Sequence, residues 1–242
     1  MDKRAVYSKK EVVKNYDTWR FGGRSGEYVD VREKEIVERF LDETQGIILD
    51  LACGTARFTE LLTKEGKSVV AADYSLEMLN RARKKVDTDF LRCDVFSTPF
   101  KDSVFDGVVM GRFFQHYADA EPILLELKRI IKENGVIVFD TLKWSPRMIY
   151  TLFSKKDVRG VHRHSYKEIE TILHKLNLEI ADSKSIFIFA PGVYRFLPFS
   201  LVKLLDKIEK ALPSNMMVRT FWKVRKWGAP LKVDSKLRNK KK

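Results

Sequence analysis

Cysteine is almost missing from this chain of 242 residues: Cys53 and Cys93 are the only two, too few for a disulfide scaffold. That usage fits a reducing compartment, and a cytoplasmic location is the expectation. No apolar run reaches the roughly 18 residues that span a bilayer, which argues against an integral membrane protein. The opening stretch MDKRAVYSKKEVVKNYD lacks the apolar centre of a signal peptide. Internal repeats and low-complexity linkers are also lacking. What the chain does have is core-forming material: 44% of it is hydrophobic and 12% aromatic, which excludes a disordered polymer.

Positive charge is concentrated at one end. Residues 195–242 hold 14 Lys and Arg against three acids, a net +11, which leaves only +2 for residues 1–194 out of the total +13. The body of the protein is nearly neutral, so the basic segment serves a partner or a surface rather than the chemistry of a pocket.

Apolar runs alternate with helical patterns through the middle of the chain. GIILDL (46–51), SVVAAD (68–73), DFLRCD (89–94), VFDGVVMG (104–111) and VIVFDTL (136–142) read as strands. Helices are expected from about Arg57, after an N-cap at Ser75, and over 120–135 with Pro122 in the first turn and Gly135 beyond the end. Five strands separated by helices specify a doubly wound parallel α/β sheet. A helix over 27–43 covers the sheet. Farther on, Ser165 and Glu168 have capping-box spacing, and 179–189 and 216–227 read as strands. Between those two strands, 198–213 is amphipathic, with Leu201, Val202, Leu204, Leu205, Ile208 and Leu212 on one face and charges on the other.

The stretch ILDLACGTARFTELL places Asp50 at the tip of the first strand and follows it with Ala52, Cys53, Gly54, Thr55 and Ala56. Small residues in a strand-to-helix turn let backbone approach a ligand at the carboxyl end of a parallel sheet. The turn lacks the G-x-G-x-x-G spacing of dinucleotide folds, and no Gly-Lys-Ser/Thr follows to make a phosphate loop.

This stretch resembles motif I of the class I S-adenosylmethionine-dependent methyltransferases, an acid followed by alternate glycines. Here Ala52 stands for the first glycine and Ala56 for the third, and a left-handed backbone at Ala56 would cost on the order of 1 kcal/mol. The resemblance runs over residues 44–142 and more loosely to the C-terminal strand pair. It implies a mostly parallel seven-stranded sheet with an antiparallel C-terminal strand. It also implies a site for S-adenosylmethionine: Asp50 facing the ammonium group, Asp73 accepting the ribose hydroxyls, Tyr74 and Met78 flanking adenine. Asp94 and the Val95 N–H would meet the adenine edge, while Gly111 and Arg112 line the methionine moiety. Tyr16 and Trp19 resemble N-terminal aromatics that close over the cofactor, with packing against the sheet as the alternative. Asp73 as a mere helix cap and Asp94 as a mere turn residue are the plainer readings beside these.

A sulfonium makes its methyl group reactive, so few catalytic residues are needed beyond alignment. His116, after the fourth strand, is the candidate base; packing is its alternative role. His162 and His164 are spaced H-x-H without a third ligand, so no metal is expected. Cys53 reads as a small buried residue rather than a nucleophile.

No Asn/Asp-Pro-Pro-aromatic motif follows the fourth strand, which disfavours methylation of base amino groups and glutamine. The expected organisation is a helical cap (1–43), a methyltransferase domain (44–227) and a basic flexible tail (228–242). Within the domain, 193–213 forms an amphipathic lid or membrane-contact insertion. The leading expectation is methyl transfer to a small, hydrophobic or lipid-like acceptor, in arrangement similar to the methyltransferases of isoprenoid quinones, with peripheral contact to an anionic membrane. A tRNA or rRNA methyltransferase using the basic C-terminus, and a non-catalytic cofactor-binding module, are the alternatives.

Overall fold

The computed structural model describes Tyr7, residues 10–143 and residues 161–228. Seven strands form one sheet: β1 (Ile47–Leu51), β2 (Ser68–Asp73), β3 (Asp89–Arg92), β4 (Phe105–Met110), β5 (Ile131–Leu142), β6 (Leu178–Ile186) and β7 (Arg219–Lys226). Their order is β3-β2-β1-β4-β5-β7-β6. β7 runs antiparallel between β5 and β6, and the remaining pairings are parallel. The chain winds outward from β1 in one direction and from β4 in the other. The sheet's topological switch therefore lies between β1 and β4, and open sheets of this kind bind ligands beside it.

Period-two alternation distributes the strands' side chains over two cores. Leu49, Leu51, Val108, Met110, Ile137, Phe139, Trp222 and Val224 pack on one face, against α6 (Glu121–Ile130) and α7 (Tyr166–Lys175). Ile48, Val109, Val138 and Phe221 pack on the other. That second face is covered by α3 (Gly23–Leu41), α4 (Arg57–Lys64) and α9 (Phe199–Ala211). Shorter helices include α1 (Lys10–Lys14) and α2 (Tyr16–Phe21), which precede α3, and α8 (Pro191–Tyr194), which precedes α9. α5 (Leu76–Ala82) starts where Ser75 accepts the Met78 N–H at 3.2 Å, the cap its position predicts. Ser165 and Glu168 close their capping box at the start of α7.

Several boundaries differ from the sequence reading. The helix expected over 120–135 stops at Ile130, because Ile131 pairs with Phe105 as the first residue of β5. Gly135 is thus inside β5 rather than at a helix end; a Cβ there would lie 2.5 Å from the Ile131 side chain. The expected helix over 27–43 begins earlier, at Gly23, where the backbone φ is +73°. α1 and α2 carry too few turns to show a period and were not legible. α9 also departs from its single-faced reading. Val202 is buried and Leu205 packs on the core while Leu201, Leu204 and Ile208 are exposed, and Asp206 and Glu209 add polar anchors on the inner side. The basic tail beyond residue 228 lies outside the described residues. Among the described residues no helix is long and apolar enough to cross a membrane.

Candidate functional site

The turn after β1 is built on three left-handed residues in alternation: Ala52 (φ +58°), Gly54 (+56°) and Ala56 (+63°). Two of the three carry a Cβ in a conformation that costs roughly 1–2 kcal/mol for L-residues. The turn is held by its neighbour strand. The Cys53 N–H donates to the Ala72 carbonyl at 3.0 Å, and the Gly54 N–H donates to Asp73 Oδ2 at 2.8 Å. Asp73 Oδ1 accepts the Ser75 N–H at 2.8 Å. Backbone N–H groups of Gly54, Ser75 and Tyr74 thus converge on this one carboxylate, whose two oxygens can accept further donors. Burial raises the Asp73 pKa, which the Ser75 and Gly54 N–H groups oppose. A Cβ built on Gly54 meets nothing within 4 Å, so this backbone faces open space.

That space is a cleft open to solvent, about 730 Å³ with its open mouth included. The turn contributes Ala52 and Gly54, and the tip of β2 contributes Asp73, Tyr74 and, one helical turn on, Met78. Asp94 and Val95 follow β3, and Gly111, Arg112 and His116 follow β4. Tyr16 enters from α2. Asp50, Cys53 and Thr55 line an adjoining recess of about 400 Å³ instead, which shares Tyr16, Ala52, Gly54, Gly111 and Arg112 with the cleft. All the candidate residues read from the sequence except Trp19 thus line one of two adjoining spaces.

Asp50 is buried, and its Oδ2 accepts both the Thr59 N–H (2.9 Å) and the Thr59 Oγ–H (2.6 Å). Burial pushes its pKa up to about 7 despite those bonds. Thr55 donates to Asp17 Oδ1 at 2.5 Å, and Asp17 also meets Arg81 and Lys85, so α2 is tied to the turn and to α5. Burial pushes the Cys53 thiol well above its usual range, against thiolate chemistry.

The β4 end is supported from below by a charge network that the sequence reading missed. Alternation puts Asp50, Asp140 and Arg219 on the sheet face that α3 covers, and α3 lays Glu33 over them. Glu33 is fully buried and meets Arg112 through two bonds (3.0 and 2.8 Å) and Arg57 through one (2.8 Å). Arg219 pairs with Asp140 and donates to Gln115 at 3.2 Å. Burial opposes ionisation of Glu33, but Arg112, Arg57 and Arg219 outweigh it and hold its pKa at about 2. Arg112 itself adopts φ +56°, with its N–H on Asp140 Oδ1 at 2.5 Å. A signal for Glu33 was present: it lies at i+4 from Val29, three and four residues before Ile36 and Val37, on the apolar stripe of α3.

Aromatic rings wall the far end of the cleft. Phe113 and Tyr117 lie 5.0 Å apart between centroids, and Phe96 meets Tyr117 at 5.0 Å. The His116 ring contacts Tyr7 at 5.6 Å, and Tyr7 contacts Tyr16 at 6.0 Å. Tyr7 is also fixed at its backbone, whose carbonyl accepts the Ser75 Oγ–H at 2.8 Å. Phe113 and Tyr117 were within reach of sequence reasoning as neighbours of His116; Tyr7 sits in a segment without periodicity and was not. His164 is a structural clamp: Nδ1 lies 3.0 Å from Glu168 and Nε2 3.1 Å from the Tyr117 carbonyl. Among the described residues no cluster of three or more His, Cys, Asp or Glu could hold a metal.

Residues 49–139 match the family model described as a methyltransferase domain. Over those residues the chain is similar to a methyltransferase domain. The chain is similar to the demethylmenaquinone methyltransferase of Thermus thermophilus, with 35% identity over 112 residues, 43% of this chain and 51% of that protein. It is 33% identical over 115 residues to the malonyl-[acyl-carrier protein] O-methyltransferase of Hamiltonella defensa, covering 46% of this chain and 45% of that one. The chain therefore spans about half the length of the curated relatives it matches. Magnesium protoporphyrin IX methyltransferase from Synechocystis PCC 6803 shares its fold at a TM-score of 0.66 and 14% identity, over 93% of this chain and 100% of that one.

Proposed function

We propose that this protein transfers a methyl group from S-adenosylmethionine to a small, hydrophobic acceptor bound at the aromatic end of the cleft. One observation carries the reading. Asp73, Asp94 and an open-faced turn at Gly54 converge on a single cleft that continues into an apolar aromatic pocket. The match of residues 49–139 to the methyltransferase family and the likeness to quinone and acyl-carrier methyltransferases support it.

The residues present fit the cofactor. Asp73 offers its carboxylate oxygens to the ribose hydroxyls, and Asp94 with the Val95 N–H offers acceptor and donor to the adenine edge. Met78 and Tyr74 supply the flanking surfaces, and the Ala52–Gly54 backbone leaves room for the chain of the methionine moiety. When bound, S-adenosylmethionine supplies an electrophilic methyl group on a positively charged sulfur. A cation beside that sulfur would be repelled by a free guanidinium. Arg112 is not free, because Glu33 neutralises it through two bonds, so the wall carries shape without net charge. Phe113, Tyr117 and Tyr7 exclude water and orient an apolar acceptor. His116 is the group placed to take the acceptor's proton where one must leave.

The tRNA or rRNA alternative draws on the basic C-terminus. It loses support from the described part of that segment, where Arg219, Arg225, Lys226 and Lys210 are engaged with Asp140, Glu179, Glu133 and Asp206.

Calorimetric titration with S-adenosylhomocysteine tests the site directly. The wild type binds, and Asp73→Ala weakens binding at least tenfold while its circular dichroism stays unchanged. Binding is also expected to fade on acidification at a higher pH than an ordinary carboxylate would give, because burial raises the Asp73 pKa. Absence of binding by the wild type, or full affinity in Asp73→Ala, would refute the assignment.

A further inference from the structure

We infer that α8, α9 and the adjoining end of α2 form a docking surface for an anionic lipid bilayer, placed beside the mouth of the cleft. The first observation is that α9 keeps an apolar stripe outside the core, while acids share its inner side with Phe199, Val202 and Leu205. Asp206 accepts from the Tyr28 hydroxyl at 2.7 Å, and Glu209 accepts from Arg32 at 2.9 Å and from the Phe187 N–H at 3.0 Å. Val202 alone among its apolar residues is fully buried. Leu201, Leu204 and Ile208, at i, i+3 and i+7, therefore form an apolar stripe on the outer side, and Leu204 is 51% exposed. Phe199, Val202 and Leu205 already satisfy the core side of this helix, so the outer stripe of Leu201, Leu204 and Ile208 is apolar surface beyond what its own core uses.

The second observation is where the stripe leads. Phe196 is 82% exposed and Trp19 is 58% exposed. The Arg195 guanidinium lies over both rings, 5.9 Å from Phe196 and 5.8 Å from Trp19, and donates to the Trp19 carbonyl at 2.5 Å. Arg20 lies over the other side of this chain of contacts, 5.1 Å from the Trp19 ring and 5.4 Å from Tyr16. Arg20 also donates to the Tyr7 hydroxyl at 3.2 Å. Tyr7 and Tyr16 line the cleft. An alternating series of rings and guanidinium groups thus joins the cleft wall to the outermost aromatic of the patch.

The third observation is charge. Lys203 and Lys207 stand along the edge of the apolar stripe, with the Lys203 ammonium 5.0 Å from the Phe199 ring. Exposed apolar side chains with amphipathic Trp and a cationic border are the chemistry of an interfacial helix on anionic lipid. A nucleic acid partner would use the lysines but not Leu204, Ile208 and Phe196. This partner rests on the proposed methyl-transfer reading only for what the bilayer delivers, an apolar acceptor dissolved in it; the docking itself does not depend on that reading.

The test is co-sedimentation of the full chain with vesicles of phosphatidylcholine, with or without phosphatidylglycerol, and separately with total tRNA. Anionic vesicles should retain the protein and neutral ones should not, with retention lost at about 0.5 M salt, where screening is nearly complete. Phe196→Ser with Leu204→Gln should abolish retention. Lys203→Ala and Lys207→Ala should each weaken it about fivefold. Homocysteine-product binding by these variants should match the wild type, which separates this proposal from the assignment of the cleft. Trp19 emission should move to the blue on anionic vesicles, and Trp19→Phe should remove that change. Equal retention on both vesicle types, retention unaffected by the Phe196/Leu204 pair, or capture by tRNA alone each overturns the proposal.

Discussion

Replacing Glu33 by Gln removes the central anion of the network beneath the cleft while keeping its volume. The size of the effect follows from the structure in two ways. Glu33 titrates at about 2 against an ordinary 4.5. At 1.36 kcal/mol per unit, its ionised form is favoured in the folded state by roughly 3 kcal/mol. Independently, removing one partner from a buried ion pair costs about 3–5 kcal/mol, because Arg112 keeps its charge without its carboxylate, while Arg57 retains Asp30 at 2.8 Å. A chain of this length should lose about 6–12 °C of thermal midpoint. The sign of the pH dependence is fixed. A carboxylate with a lowered folded pKa contributes fully above the unfolded value and loses that contribution as pH falls toward the folded one. The stability gap between wild type and Glu33→Gln should therefore be widest near neutrality and narrow below about pH 4.5. Urea unfolding followed by circular dichroism measures both quantities. A loss under about 1 kcal/mol at neutral pH, or a gap that widens on acidification, would refute the reasoning.

Two further outcomes follow from neighbouring residues. Asp50 has a raised folded pKa of about 7 against 3.8, so unfolding releases its proton and stability falls as pH rises between those values. Asp50→Asn keeps an acceptor for Thr59 and should gain on the wild type as pH rises from 5 to 8 in thermal melts; an equal offset at both ends would contradict the raised value. Gly111→Ala would set a Cβ 2.2 Å from the Phe58 ring. Displacing that ring should cost about 1–3 kcal/mol in chemical unfolding and weaken S-adenosylhomocysteine binding, because Gly111 lines both the cleft and the recess. A variant as stable and as tightly binding as the wild type would show that the ring moves without cost.

The amino-acid sequence determined what is local. Apolar runs bounded by helix caps place β1 to β5, Ser75 caps α5, and Ser165 with Glu168 caps α7, because periodicity and capping act over a few residues. The carboxylates Asp73 and Asp94 and the small-residue turn were legible for the same reason: they stand at strand tips, and parallel strands point their tips to one edge. Helix ends were less legible. Ile131 leaves its helix only because Phe105, 26 residues earlier, offers a strand partner. Tertiary structure alone decided the rest. Glu33, Arg57, Arg112, Asp140 and Arg219 come from five segments, and only the stacking of α3 over alternate positions of β1, β5 and β7 joins them. The direction of α9 was settled likewise. Its pattern leaves the rotation open, and the polar partners Tyr28, Arg32 and the Phe187 N–H drew Asp206 and Glu209 inward beside Val202 and Leu205, leaving Leu201, Leu204 and Ile208 to the solvent.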